Sequence, residues 1–138
     1  MKARVLFSSN NLAMALCEDG VERLCSFKGK RIKSLSGSYN SLAAGDEVEV
    51  RVAGEGRGII ATLYPRRNSF GRYNEKGRAE QAIAANIDRV VCVSSPKLPP
   101  FRPRFIDRLA VLAERASSPF TILMRSEEHT SELQSLAY

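Results

Sequence analysis

"GDEVEVRVAGEGRGIIATLYP", residues 45–65, decides the fold. Val48, Val50 and Val52 alternate with Glu47, Glu49 and Arg51, the period of two expected of a strand with one dry and one wet face. "GEGRG", Gly54–Gly58, interrupts the run, and "IIATLYP" begins a second apolar stretch. The glycines suggest a phosphate loop, but the Gly-Lys-Ser/Thr ending is missing and the segment joins two strands rather than a strand to a helix. It reads instead as a hairpin turn.

The residues before this stretch follow the same pattern. "ARVLFSS" and "LAMALCE" are separated by "NN", a pair that tolerates left-handed backbone geometry. "EDG" then leads into "VERLCSF", and Asp-Gly is a strong hairpin signal. Five short strands within residues 1–65 predict a small closed β-barrel, a five-stranded OB-fold. A tight turn at Asp19-Gly20 would set Cys17 opposite Glu22 and Cys25 opposite Met14, so those cysteines are not expected to form a disulfide. Cys17, Cys25 and Cys92 are scattered, with no CxxC spacing and with His129 as the sole histidine. They are expected to be reduced, partly buried thiols rather than zinc ligands.

Residues 66–86, "RRNSFGRYNEKGRAEQAIAAN", are polar, basic and poor in periodicity, and read as a basic linker. The pattern then changes. "IDRVVCVSS" is a β-branched run of the kind buried on both faces in a parallel sheet. Pro103 suits the first turn of a helix, and "RFIDRLAVLAERA" places Phe105, Leu109, Leu112 and Ala116 on one side with Ile106 and Ala113 adjacent. "SSPFTILM" is another strand. Residues 87–124 thus read as strand–helix–strand, the start of an α/β domain. Asp88 opens the first of these strands and Asp107 falls in the first helical turn; neither belongs to an acid/base pair.

The chain has 138 residues and a net charge of +6. Residues 1–85 hold 14 Lys/Arg against 9 Asp/Glu, and such a basic body suits a polyanion. Lys28, Lys30, Arg31 and Lys33 form one cluster, with no acid between Glu22 and Asp46. Arg66, Arg67 and Arg72 form a second, with Phe70 and Tyr73 nearby. Basic residues release counterions from phosphates and aromatic rings stack on bases, so both clusters are candidate RNA contacts. A lone Phe such as Phe70 is expected to pack rather than stack. No nucleophile–base pair is present, no apolar run approaches the roughly 20 residues of a membrane helix, and the N-terminus has no signal-peptide core. The expected setting is the cytoplasm, without membrane association.

"GKRIK", "AAGDEVEV", "GEGRGIIATLYPRRNSFGR", "QAIAANIDRVVCVSS" and "FIDRLAVLAE" follow one another in the order of the bacterial small ribosomal subunit biogenesis GTPases, the RsgA (YjeQ) family. The phrases "GDxVEV", "PRxN" and "IAAN(I/V)D" are modest singly and specific together, and the resemblance spans about residues 3–124. It implies an N-terminal OB barrel that contacts ribosomal RNA, then a circularly permuted GTPase domain, then a zinc-binding domain. The implied function is late maturation of the 30S subunit, with GTP hydrolysis in the full-length protein. The implied partners are the small ribosomal subunit and its 16S rRNA, and a monomer is expected. GTP, Mg²⁺ and Zn²⁺ are the family's cofactors, and none is expected for this chain.

In that family the guanine-reading Asn-Lys-x-Asp follows the second strand of the GTPase domain. Here Arg125, Ser126, Glu127 and Glu128 stand after "PFTILM". Residues 125–138, "RSEEHTSELQSLAY", resemble a peptide translated from adapter or vector DNA and read as a disordered or weakly helical non-native tail, in which His129 has no ligand role. Two further readings stand beside the GTPase family. One is a stand-alone OB-fold RNA-binding module without catalysis, and the other is an inert truncated fragment.

Overall fold

The computed structural model describes residues 1–9, 11–27, 42–97 and 99–125. They form two compact units, meeting in sequence between Ile87 and Asp88.

In the first unit, β1 (Lys2–Ser9), β2 (Leu12–Cys17), β3 (Glu22–Phe27), β4 (Glu47–Gly54) and β5 (Arg57–Leu63) close into a barrel of order β1-β2-β3-β5-β4. Neighbours are antiparallel except β3 and β5, and β4 returns to pair with β1. Alternation fills the interior: Ala3, Val5, Ala13, Ala15, Cys17 and Cys25 come from β1–β3, and Val48, Val50, Ile60 and Leu63 from β4–β5, with Leu42 beside them. Small residues on three strands facing larger ones on two suit the narrow bore of a five-stranded barrel. Val52 was expected on the dry face but is 51% exposed, because β4 runs past the barrel rim after Val50. "GEGRG" is the β4–β5 turn, with Gly54 and Gly56 at positive φ.

The β2–β3 register differs from the expected one by a residue. Leu16 pairs with Glu22, Met14 with Leu24 and Ala13 with Cys25. The loop has three residues, Glu18-Asp19-Gly20. Gly20 takes φ +79, its N–H donates to the Cys17 carbonyl, and the Cys17 N–H donates to the Val21 carbonyl. This is a turn closed by a left-handed glycine, which adds a residue to the loop and shifts every pair beyond it. All three cysteines are free and buried, and burial, with Cys17 nearby, pushes the Cys25 thiol up.

The segment read as a basic linker holds a hairpin, β6 (Ser69–Asn74) with β7 (Ala79–Ala85). Its period of two is broken by a bulge after Phe70, opposite which Ile83 is the extra residue, and by Gly71. Added atoms at Gly71 would strike the Gln81 carbonyl, so the strand is built around the missing side chain.

The second unit, described from Asp88 to Arg125, consists of β8 (Val90–Ser94), α1 (Pro103–Arg115) and β9 (Phe120–Met124). The two strands are parallel, with Val90 opposite Phe120 and Ser94 opposite Met124. Pro103 opens α1 as expected. Ser117 at φ +50 ends it: the N–H groups of Ser117 and Ser118 return to the Glu114 and Ala113 carbonyls. The buried stripe is Ile106, Ala113 and Ala116, while Phe105 is 55% exposed, so the dry side is turned by about one residue from the expected one. Asp107 lies beyond the first turn, which holds no acidic residue. β8 is not buried on both faces. Cys92 is buried, while Val91 and Val93 are exposed on the opposite face beside Leu123.

The β2–β3 turn is held by Asp19. Its carboxylate accepts from Arg23 Nη1 and Nη2 at 2.9 and 2.7 Å and from the Val21 N–H at 3.1 Å. The Arg23 guanidinium lowers the Asp19 pKa from 3.8 to about 2. A carboxylate with a depressed folded pKa stabilises the fold fully above its ordinary value, and that contribution is lost as pH falls through the folded one. Urea melts between pH 5 and about 1.5 should therefore show the advantage of the parent over Asp19→Asn shrinking across the interval from about 4 to 2. A pH-independent difference would contradict the pairing.

Candidate nucleic-acid interface

Lys28, Lys30, Arg31 and Lys33 lie outside the described residues. The barrel fixes the residues that bracket their segment. Phe27 ends β3 opposite Ile60, and Leu42 is buried with its carbonyl accepting from Ser8 Oγ at 2.8 Å.

The second cluster divides by role. Arg66 was expected to be an RNA contact, but it is committed to Asp46. Nε reaches Oδ1 at 2.6 Å and Nη2 reaches Oδ2 at 2.7 Å, with the Arg66 side chain 11% exposed and that of Asp46 fully buried. Asp46 Oδ2 also accepts the Ala43 N–H at 2.8 Å. A planar guanidinium matched to a carboxylate in this way is a structural pair, unavailable to phosphate unless Asp46 is left unpaired. Arg67 is exposed at the surface, and its Nη2 donates to the Asn86 and Ile87 carbonyls at 3.1 and 3.2 Å. Its charge still faces water. Arg72 is exposed on β6, beside Tyr73, which is 62% exposed, whereas Phe70 is half-buried.

The sequence phrases that stood out singly meet here. "GD" supplies Gly45 and Asp46, "PRRN" supplies Arg66 to Asn68, and "AANI" supplies Ala85 to Ile87. Asn68 and Ile87 exchange two hydrogen bonds, side-chain Nδ2 to the Ile87 carbonyl at 2.8 Å and Ile87 N–H to Oδ1 at 2.9 Å. Asn86, at φ +55, donates from Nδ2 to the Gly45 carbonyl at 2.9 Å and accepts the Arg67 N–H at 2.7 Å. The Ala85 N–H donates to the Ala44 carbonyl at 2.8 Å. Gly45 has φ +88, and a side chain there would run into the Ala85 carbonyl. The group latches the hairpin to the barrel. Sequence reading missed Asp46, although an acid beside a glycine and 20 residues before Arg66 was visible.

Two other surfaces of the barrel bear on the expected RNA contact. Lys2 is paired with Glu47 at 2.7 Å and sits 5.8 Å from the Tyr64 ring centre, and it holds the Glu47 carboxyl below its usual range. The outer face of β1–β3 is largely apolar: Phe7, Met14 and Leu24 align across the strands, with Leu12 and Leu16 along β2. Exposed Arg4 stands on the same face, opposite Leu16.

The fold defines a class of protein, a small closed OB-like barrel followed in sequence by a parallel strand–helix–strand unit. Comparisons make this specific. The family model described as RsgA GTPase matches residues 63–137. A small ribosomal subunit biogenesis GTPase RsgA of Borrelia recurrentis is 36% identical over 102 residues, covering 73% of this chain and 33% of the relative. The protein of the same name from Borreliella afzelii is 30% identical over 128 residues, covering 92% and 40%. The chain thus spans about a third of the length of the curated relatives it matches most strongly. In fold it resembles the crystal structure of YjeQ from Thermotoga maritima, with a TM-score of 0.64 and 24% identity over 98% of this chain and 46% of that one. It also resembles YloQ, a circularly permuted GTPase, with a TM-score of 0.61 and 19% identity over 99% and 46%. The chain belongs to the RsgA GTPase family.

Because Asp46 is buried, removing its partner leaves an uncompensated charge. Arg66→Ala should lower stability by about 3 kcal/mol in urea melts, and Arg66→Lys, which cannot reproduce the two-pronged contact, should recover only part of it. Loss of less than about 1 kcal/mol on Arg66→Ala would show that the latch is not structural.

Proposed function

We propose that this chain is the RNA-contacting part of a GTPase that assists late maturation of the small (30S) ribosomal subunit, and that it meets 16S rRNA through cations on the barrel and hairpin. Family membership carries the reading, and the exposed Arg67 and Arg72 beside Tyr73 support it. Lys28, Lys30, Arg31 and Lys33 are the further proposed contacts, and Arg66 supports the surface from within. The working state is a monomer in the cytoplasm.

GTP turnover belongs to the whole family protein. These 138 residues hold neither a Gly-x-x-x-x-Gly-Lys-Ser/Thr phosphate loop nor Asn-Lys-x-Asp. Among the described residues no three His, Cys, Asp or Glu side chains stand together. The chemistry left to this chain is binding: counterion release from phosphates by fixed cations.

The test is binding of the 138-residue chain to small-subunit RNA across a salt series, with GTP hydrolysis measured in parallel. Binding should fall steeply with salt. Neutralising Lys28, Lys30, Arg31 and Lys33 together should weaken it by about tenfold or more and reduce the log–log salt slope by about 3. GTP hydrolysis should stay at background. Salt-insensitive binding, or turnover of GTP, would overturn the proposal.

A further inference from the structure

We infer that the outer face of β1–β3 is a self-association surface, on which two copies of this chain pack face to face about a twofold axis running along β2. The inference does not depend on RNA binding. It concerns the free chain at high concentration, and the dilute chain is the monomer described above.

The face is apolar where an ordinary solvated sheet face is polar. Its side chains stand in rows that cross the strands. Phe7, Met14 and Leu24 form the middle row. Arg4, Leu16 and Glu22 form the row on one side, and Ser9, Leu12 and Ser26 the row on the other. Phe7 is 54% exposed, Leu12 46%, and Leu16 and Leu24 40% each. The side chains that alternate with them on β2, Ala13 and Ala15, fill the barrel, so the outer set serves no core. A contiguous apolar patch with a charged rim marks an interaction site.

The charges decide what covers it. Arg4 and Glu22 are exposed on either side of Leu16, at opposite ends of one row, and among the described residues neither forms an ion pair. Glu47 lies across from Arg4 on β4, where Arg4 helps to hold its carboxyl down, but its ion pair is with Lys2 at 2.7 Å. A twofold axis along β2 carries β1 of one copy over β3 of the other. It sets Arg4 over Glu22 and Glu22 over Arg4, Phe7 over Leu24, and Met14 and Leu16 each over its own copy. The face is thus complementary to itself, the requirement for an isologous interface. An axis across the strands would set Arg4 over Ser9 and Glu22 over Ser26, leaving both charges without partners. A nucleic acid would offer Glu22 no complement at all.

The size of the face sets the strength. Three strands about 4.8 Å apart and about six residues long give a patch of roughly 15 by 20 Å. That is at the small end of specific interfaces, so the dimer is weak and the monomer prevails on dilution. Burial of the apolar centre supplies the attraction, and the two Arg4–Glu22 pairs at the rim fix the register.

The experiment is sedimentation equilibrium of the full 138-residue chain, without RNA, from about 5 µM to about 1 mM. A monomer should give way to a dimer across that range. Arg4→Glu alone, or Glu22→Arg alone, opposes like charges at both ends of the dimer and should weaken association about tenfold or more. Arg4→Glu/Glu22→Arg together should restore it, which no general loss of folding can do. Leu24→Gln should abolish the dimer over the same range. Arg51→Gln, an exposed cation on β4, controls for bulk charge and should leave the Kd within about twofold. A monomer at every concentration would overturn the inference, as would a dimer indifferent to the charge reversals, or larger species in its place. It would also fall if the chain stayed monomeric while Phe7→Ala and Leu24→Gln abolished its RNA binding, since RNA would then be the occupant of the face. Matching melting curves for parent and variants exclude unfolding as the cause.

Discussion

One buried ion pair holds the first unit together. Asp46 has no exposed surface, and its two oxygens take three donors: Arg66 Nε, Arg66 Nη2 and the Ala43 N–H. Loss of Arg66 would leave that buried carboxylate without a countercharge. The backbone on either side follows. The Asp46 carbonyl accepts the Val5 N–H and the Gly45 N–H donates to the Val5 carbonyl, so the same turn ties β1 to the start of β4. Gly45 has no side chain because the Ala85 carbonyl occupies that space. Barrel closure and hairpin attachment thus share one constraint.

That constraint changes how the basic sequence is understood. Arg66, Arg67 and Arg72 look alike in a charge count, yet the structure gives them different tasks. Arg66 neutralises a buried acid, Arg67 clasps two carbonyls with its charge still at the surface, and Arg72 is exposed on a strand. An excess of cations is therefore not itself an interface; what counts is the charge left facing solvent.

Much of the fold was legible in the sequence, and the failures have physical causes. The five barrel strands were readable because turn signals such as Asn-Asn, Asp-Gly and Gly54–Gly58 separate short apolar runs and because β4 alternates with a period of two. The β2–β3 register was not, because Asp-Gly allows both a two-residue turn and the longer turn closed by Gly20. The hairpin over Ser69–Ala85 was hidden by a bulge and by alanines, which pack well but carry little pattern. The helix was read correctly, but its dry side was placed about one residue off, since Ile106 and Ala113 face inward where Phe105 was expected. The candidate site was the least legible part. Pairing between Asp46 and Arg66 crosses 20 residues and leaves no local trace, and the exposure of Tyr73 depends on a hairpin that the pattern did not reveal.

Native-state hydrogen exchange tests the central claim most directly, by comparing the Ala85 N–H, which bonds across the latch to Ala44, with the Val5 N–H, which bonds within the barrel to Asp46. If the ion pair makes barrel and hairpin one cooperative body, both amides exchange with the same opening free energy, and both lose protection together on Asp46→Asn. If Ala85 exchanges orders of magnitude faster while Val5 stays protected, the hairpin opens on its own and the latch does not hold the unit together.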